Sequence, residues 1–283
     1  MSTPHTVQST ATDAADDGKG RDHPLREAQK HYHTILDQQV EEASEELQRT
    51  TTGILLSGLS AGLDLGFGPF LMAVLLTLVQ DSWPHAAIKM LLANAYAVGF
   101  ILVVMGRSTL FTERTMSAVL PVLARKARPA QLLRLWCLAL AANLAGGAAV
   151  AATIGLFGPA MHVVEPRALA EIAQQLTVQS WWVTLVSAVL AGWLMGLMTW
   201  LVTASRDSTA QIVIVWMIAS VIGVIGLHHS IAGTIEVLMG VFAGQATFAD
   251  YLQFIVWAIV GNAIGGSCFV ALLKFGHVQA SKR

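Results

Sequence analysis

Two long apolar stretches of this chain are each interrupted at mid-length by a short polar run. An uninterrupted span would not carry such a run, so each stretch reads as two helical pieces around a turn. The first interruption is Gly106-Arg107-Ser108-Thr109-Leu110-Phe111-Thr112-Glu113-Arg114-Thr115, and the second is Gly226-Leu227-His228-His229-Ser230-Ile231-Ala232-Gly233-Thr234. Each is followed by the same signature, Asn143-Leu144-Ala145-Gly146-Gly147 in one half and Asn262-Ala263-Ile264-Gly265-Gly266 in the other. Each is preceded by the same pattern, since Ser57 to Gly66 and Ser187 to Gly196 both read Ser-x-x-x-Ala-Gly-x-x-x-Gly. Three matches in one order make an internal duplication. Broken backbone at membrane depth is tolerated only inside protein or beside water. Paired broken segments in two halves therefore point to the central site of a transporter or channel.

Composition places the chain in a membrane. It is 54% hydrophobic and 12% charged, against about 25% charged for a soluble domain. Six apolar segments run over 53–79, 88–125 with a break, 131–156, 180–204, 208–243 with a break, and 250–275, and about twenty apolar residues cross a bilayer. The expected fold is an all-α membrane protein of six transmembrane helices, built as two inverted three-helix repeats with broken second and fifth helices. Inversion follows because each repeat has three spans, an odd number. Thirteen Lys and Arg residues fall on the N-terminal side of the membrane and only Lys89 and Arg167 on the other, with Arg107 and Arg114 at the first break. The positive-inside rule then puts both termini in the cytoplasm.

The expected organisation is a disordered tail over 1–22, an amphipathic cytoplasmic helix over 23–50, a six-span pore domain over 51–277 and a short cytoplasmic tail over 278–283. Leu25, Ala28, Tyr32, Ile35, Leu36, Val40 and Ala43 recur at helical spacing. That helix either touches the membrane or a neighbouring subunit, or is a solvated lead-in to the first span. Cys137 and Cys268 lie in apolar segments and read as small core residues. No metal spacing, cofactor motif or catalytic signature such as His-Glu-x-x-His or Gly-x-Ser-x-Gly is present. An enzyme, a cofactor and a nucleic-acid partner are not expected.

The paired glycines let helices approach closely in lipid. Asn143 and Asn262 are expected to hydrogen-bond across helices or to the broken backbone. Asp64 lies inside the first span, where an acid is costly unless paired or wetted. It either pairs with Arg107 or Arg114 or faces the pathway. Glu113 and Arg114 are expected to form a local pair, and Glu236 to face Arg107 through the inverted symmetry.

These motifs resemble the formate/nitrite transporter family. Leu110-Phe111-Thr112 is similar to its loop in the broken second helix, His229-Ser230-Ile231-Ala232 to its motif in the broken fifth, and Gly261-Asn262-Ala263-Ile264-Gly265-Gly266 to its last helix. The likeness runs from about residue 50 to 275, and the polar N-terminus with Ser57 to Phe67 resembles its YfdC-like branch. The resemblance implies an aquaporin-like protomer in a homopentamer. It implies passage of a small monovalent anion of the formate or nitrite class through a bacterial inner membrane, often with a proton, and it makes Thr112 and His229 the central pore residues. Leu110, Phe111, Ile222 and Met195 are candidate narrowings around them, and His228 is a structural neighbour. The chain departs from the family pattern at Gly192 and Gly233, where Asn is usual, and in its charges Asp64, Glu113, Arg114 and Glu236. Those charges leave a channel for small neutral solutes or protonated weak acids as the alternative. A membrane scaffold that binds a partner through 24–49 is a third.

Overall fold

A computed structural model describes residues 30–281. The tail over 1–22, the first residues of the helix expected from 23 and the last two residues of the chain lie outside the described residues.

Helix α1 spans Tyr32–Gln48. Ile35, Leu36, Val40, Ala43 and Leu47 form its buried stripe, at the spacing of one helical face. Part of that stripe packs on the chain's own body, against Met116, Leu120, Trp200 and Val270, rather than on lipid or a neighbouring subunit. The first span is two helices, α2 (Thr51–Leu65) and α3 (Phe67–Val79), meeting at Gly66. Pro69 has no N–H to give the carbonyl of Leu65, so the ladder lapses there. The same device separates α5 (Phe111–Ser117) from α6 (Val119–Leu123), because Pro121 leaves the carbonyl of Ser117 unserved.

Between them, α4 (His85–Met105) ends at the first break, and α7 (Pro129–Ala160) completes the first repeat. The second repeat has α9 (Trp181–Ala204), α10 (Ser208–Ile225), the second break, α11 (Ser230–Phe242) and α12 (Phe248–Ile264). The last rod continues through a π-helical stretch, Gly265–Leu272, into α13 (Leu273–Ala280). Among the described residues, six rods are long and apolar enough to cross a membrane. Sequence periodicity over 166–177 was not read as an element. It forms α8 (Pro166–Thr177), whose buried Ala168, Leu169, Ile172, Ala173 and Leu176 cover one side of α11.

The glycine signatures sit where helices cross. A Cβ on Gly62 would meet the backbone of Asn143, Gly146 and Gly147, and one on Gly192 would meet the backbone of Asn262. The α2–α7 and α9–α12 crossings are thus the same backbone-on-backbone contact made twice. They carry each Asn to the break of its own repeat.

Candidate permeation site

Each break is a helix stop, a short extended link and a helix start. The stop is a left-handed residue, Arg107 at φ 54° and Gly226 at φ 76°. The next N–H reaches back a full turn and more, from Ser108 to the carbonyl of Val103 and from Leu227 to that of Ile222, both at about 3 Å, which closes a Schellman-type cap. The start is Leu110 in the first break and His229 in the second, both in extended backbone. The N-termini of α5 and α11 are therefore brought to the middle of the protein, each presenting the positive end of a helix dipole.

Asn143 and Asn262 hold these links in place by the same three bonds. Asn143 Oδ1 accepts from the N–H of Phe111 at 2.7 Å, and its Nδ2 donates to the carbonyls of Gly58 (2.8 Å) and Thr109 (2.9 Å). Asn262 Oδ1 accepts from Ser230 at 2.8 Å, and its Nδ2 donates to Ala188 (2.8 Å) and His228 (3.0 Å). A fourth anchor was not assigned from the sequence. The hydroxyl of Ser57 accepts from the N–H of Thr109 at 3.0 Å, and that of Ser187 from the N–H of His228 at 3.1 Å. The shared Ser at the head of the Ser-x-x-x-Ala-Gly-x-x-x-Gly pattern was the available signal.

The chemistry departs from this symmetry. His229 Nε2 and Thr112 Oγ1 lie 2.8 Å apart, both fully buried. Under the duplication the partner of His229 is Leu110 and that of Thr112 is Ile231, so the pair joins two non-equivalent positions. His229 Nδ1 accepts the N–H of Ala232 at 3.1 Å. In a neutral ring the proton therefore sits on Nε2 and is donated to Thr112, leaving the Thr112 hydroxyl proton free for another acceptor. Phe100 meets the His229 ring edge-on at 5.0 Å between centroids. The hydroxyl of Ser230, buried at the head of α11, has no hydrogen-bond partner among the described residues.

Leu110, Phe111, Ile222 and Met195 all belong to the buried apolar core. None of them lines the polar cavity of about 700 Å³ on the α1 side. That cavity is walled by α1, α5, α9, α10 and the first break, with Glu113, Ser117, Ser108 and Arg107 on one side and Thr199, Thr203 and Arg206 on another. Helix α1 roofs it. Lys30 Nζ donates to the carbonyl of Thr203 at 2.6 Å, and Gln39 donates to the Thr203 hydroxyl. His228 braces the other side through Ser187 Oγ (2.8 Å) and the carbonyl of Leu176 (3.2 Å).

Among the described residues, three expected ion pairs do not form. Arg114 pairs with Glu46 of α1 at 2.8 Å, not with Glu113 or Asp64. The same carboxylate accepts from Thr109 Oγ1 at 2.8 Å, so α1 is tied to the break. Asp64 accepts from Ser60, one turn away on its own helix, at 2.9 Å, and it does not line the cavity. Glu236 makes no ion pair with Arg107 among the described residues. Inverted repeats put the two breaks' second halves on opposite sides, so Arg107 before α5 and Glu236 along α11 are carried apart.

Comparison with known proteins agrees with this architecture. The model of the formate/nitrite transporter family matches residues 33–276. The inner membrane protein YfdC of Escherichia coli (strain K12) is 28% identical over 243 residues, covering 84% of this chain and 76% of that protein. The formate channel BtFdhC of Bacillus thuringiensis is 26% identical, with 87% of this chain and 94% of that one covered. A solved pentameric formate channel with formate bound superposes with a TM-score of 0.66 at 21% identity, over 81% of this chain and 98% of the other.

Proposed function

This chain belongs to the formate/nitrite transporter family, and on that footing we propose that it carries small monovalent anions of the formate and nitrite class across a membrane, passively or linked to a proton. The observation that carries the reading is the Thr112–His229 pair at 2.8 Å, enclosed in apolar core where two half-helix N-termini converge. An anion entering such a place loses its water, a cost of many kcal/mol if nothing replaces it. Here the replacements are fixed in advance. The Thr112 hydroxyl proton is available to another acceptor, Ser230 offers a second unengaged hydroxyl, and both helix ends favour negative charge. His229 behind Thr112 donates its Nε2 proton to that hydroxyl and so fixes the hydroxyl's role as a donor to the solute. Asn143 and Asn262 position the two links, and Leu110, Phe111, Ile222 and Met195 keep bulk water from the centre.

The multi-pass protein is read as a homopentamer of the bacterial inner membrane with one pathway per subunit and both termini in the cytoplasm. Support comes from the pentameric formate channel of the same fold, the inner-membrane relative and the Lys/Arg distribution. The cavity under α1 is then the cytoplasmic vestibule.

The test is flux in proteoliposomes with formate, nitrite and glycerol in turn, at an acidic and at a neutral pH, for the wild type and His229→Asn. Anion flux that is larger at the lower pH and lost in the variant is expected. Passage of glycerol with no anion flux would replace this reading with a neutral-solute pore.

A further inference from the structure

Two carboxyl groups are buried in the membrane-spanning body without an ion pair, and the function proposed above uses neither. Glu113 follows Thr112 on α5, is 7% exposed and lines the polar cavity. Its neighbour Arg114 is already engaged by Glu46. Glu236, also 7% exposed, lies on α11 two helical turns beyond His229, about 10 Å along the axis and on the same face. Among the described residues neither carboxyl is in an ion pair.

The duplication tells what Glu236 faces. Its counterpart in the first repeat is Ser117, just as Asn143 is the counterpart of Asn262. Ser117 lines the cavity on the α1 side. The inverted copy of that position belongs to the approach from the α8 side. The counterpart of Glu113 is Ala232, so each approach to the Thr112–His229 pair carries one carboxyl of its own. Both acids stand where the repeats differ, and repeat-wide packing does not require them.

An isolated carboxylate in a membrane interior is costly, and it persists as the neutral acid or where water reaches it. A neutral carboxylic acid beside a pathway for anions has one thing to offer, its proton. We propose that Glu113 and Glu236 are the proton-exchanging groups of this pathway, one on each side of Thr112–His229. This rests on the anion reading above. An anion arriving through the α1-side cavity takes the Glu113 proton. The Glu113 O–H bond breaks, an O–H bond forms on the cargo, and the neutral acid passes the centre. Glu113 is recharged from water in the cavity. Beyond the centre Glu236, having first given its own proton to water on the α8 side, takes the proton of the cargo: the cargo O–H bond breaks, the Glu236 O–H bond re-forms, and the anion leaves on that side. One proton accompanies each anion, and the reverse sequence serves the opposite direction.

The surrounding charges are compatible with this. Glu113 faces Arg114 and Glu46, which oppose each other in sign, with Arg107, Arg206, Lys30 and Glu42 across the cavity. Those cations draw the anion in. Glu236 interacts with Tyr96 on α4, and the titratable groups on α11 itself and on the neighbouring α12 and α8 are His229, Asp250, Tyr251, Arg167 and Glu171. Arg167 is taken by Asp81 at 2.8 Å. As pH rises both carboxyls lose the proton they would donate and become charges of the same sign as the cargo, so flux falls.

The experiment is formate uptake into proteoliposomes carrying an internal pH dye, with protein-free vesicles as background, for wild type, E113Q, E236Q and E113D. Wild-type uptake is expected to acidify the lumen. E113Q and E236Q are expected to lose that acidification and to flatten the pH profile of uptake. E113D, which keeps an ionisable group, is expected to restore both. Gln variants that acidify and follow pH as the wild type does overturn the inference. Wild-type uptake without acidification overturns it too, yet leaves the anion reading standing. Absence of wild-type formate uptake removes both. A measurement on the unaltered protein covers variants that do not fold. A hydrophobic carbodiimide reacts with protonated buried carboxyls, so modification of Glu113 and Glu236, reduced by formate, is expected by mass spectrometry. Absence of label on both residues overturns the inference.

Discussion

Replacing either clamp asparagine by leucine isolates the energy that holds the broken helices open. Asn143→Leu keeps the branching and the number of side-chain heavy atoms, so the loss is chiefly polar and leaves no cavity. The carbonyl of Gly58 lies inside α2 and keeps its helical bond. The N–H of Phe111 and the carbonyl of Thr109 lie in the break, where Asn143 is their partner. Each buried polar group stranded in this way costs about 1–3 kcal/mol, so the variant is expected to lose about 2–6 kcal/mol. Asn262→Leu strands the N–H of Ser230 and the carbonyl of His228 in the same geometry, and the two variants should be equally damaged. At about 2–4 °C per kcal/mol for a domain of this size, each melts at least about 4 °C below the wild type. The assay is thermal unfolding of the purified protein in detergent, read by loss of the folded size-exclusion peak. Formate flux by the same variants shows whether the links still position Thr112 and His229. A melting temperature that does not move in one variant while the other falls refutes the claim that both links depend on the same bonds. No movement in either refutes the accounting altogether.

Other outcomes follow from the same geometry. Gly192→Val should abolish recovery of folded protein, because its Cβ alone meets the Asn262 backbone, whereas Gly276→Ala, with open space around it, should leave recovery unchanged. Gly226→Ala places a Cβ in open space at φ 76°, so its expected loss of about 1–2 kcal/mol, measured by thermal unfolding, is backbone strain alone. Arg107→Gly, at φ 54°, should move stability the other way by a similar amount. Glu46→Gln leaves the Arg114 guanidinium facing a neutral amide. Removing one partner of a fully buried pair costs about 3–5 kcal/mol, and since Arg114 is 20% exposed the expected loss is smaller, about 1–3 kcal/mol after screening. It should also loosen α1, seen as faster alkylation of a cysteine placed at Thr203 under that helix.

Much of the frame was readable because its signals are local or repeated. Apolar length identifies the spans, and polar residues within them identify the breaks. Gly62, Gly192, Asn143 and Asn262 recur at matching positions of two copies. Prolines at 69 and 121 were equally local, yet the interruptions they cause at Gly66 and Ala118 were missed within apolar runs. Helix α8 was missed although Leu169, Ile172 and Leu176 carry its period, because a short amphipathic stretch between spans looks like any loop until α11 is there to be covered.

The sequence by itself determined a duplicated six-span membrane protein with two broken helices, since hydropathy and glycine spacing act within a turn or two of chain. Only the tertiary structure decided which polar groups meet. Thr112 touches His229 from the other repeat, and Arg114 turns from its neighbour Glu113 to Glu46 of α1. Asp64 settles on Ser60, and Glu236 is carried away from Arg107. A buried charge or donor takes whichever partner packing brings within about 3 Å, and that depends on how helices cross rather than on how far apart residues stand in the chain.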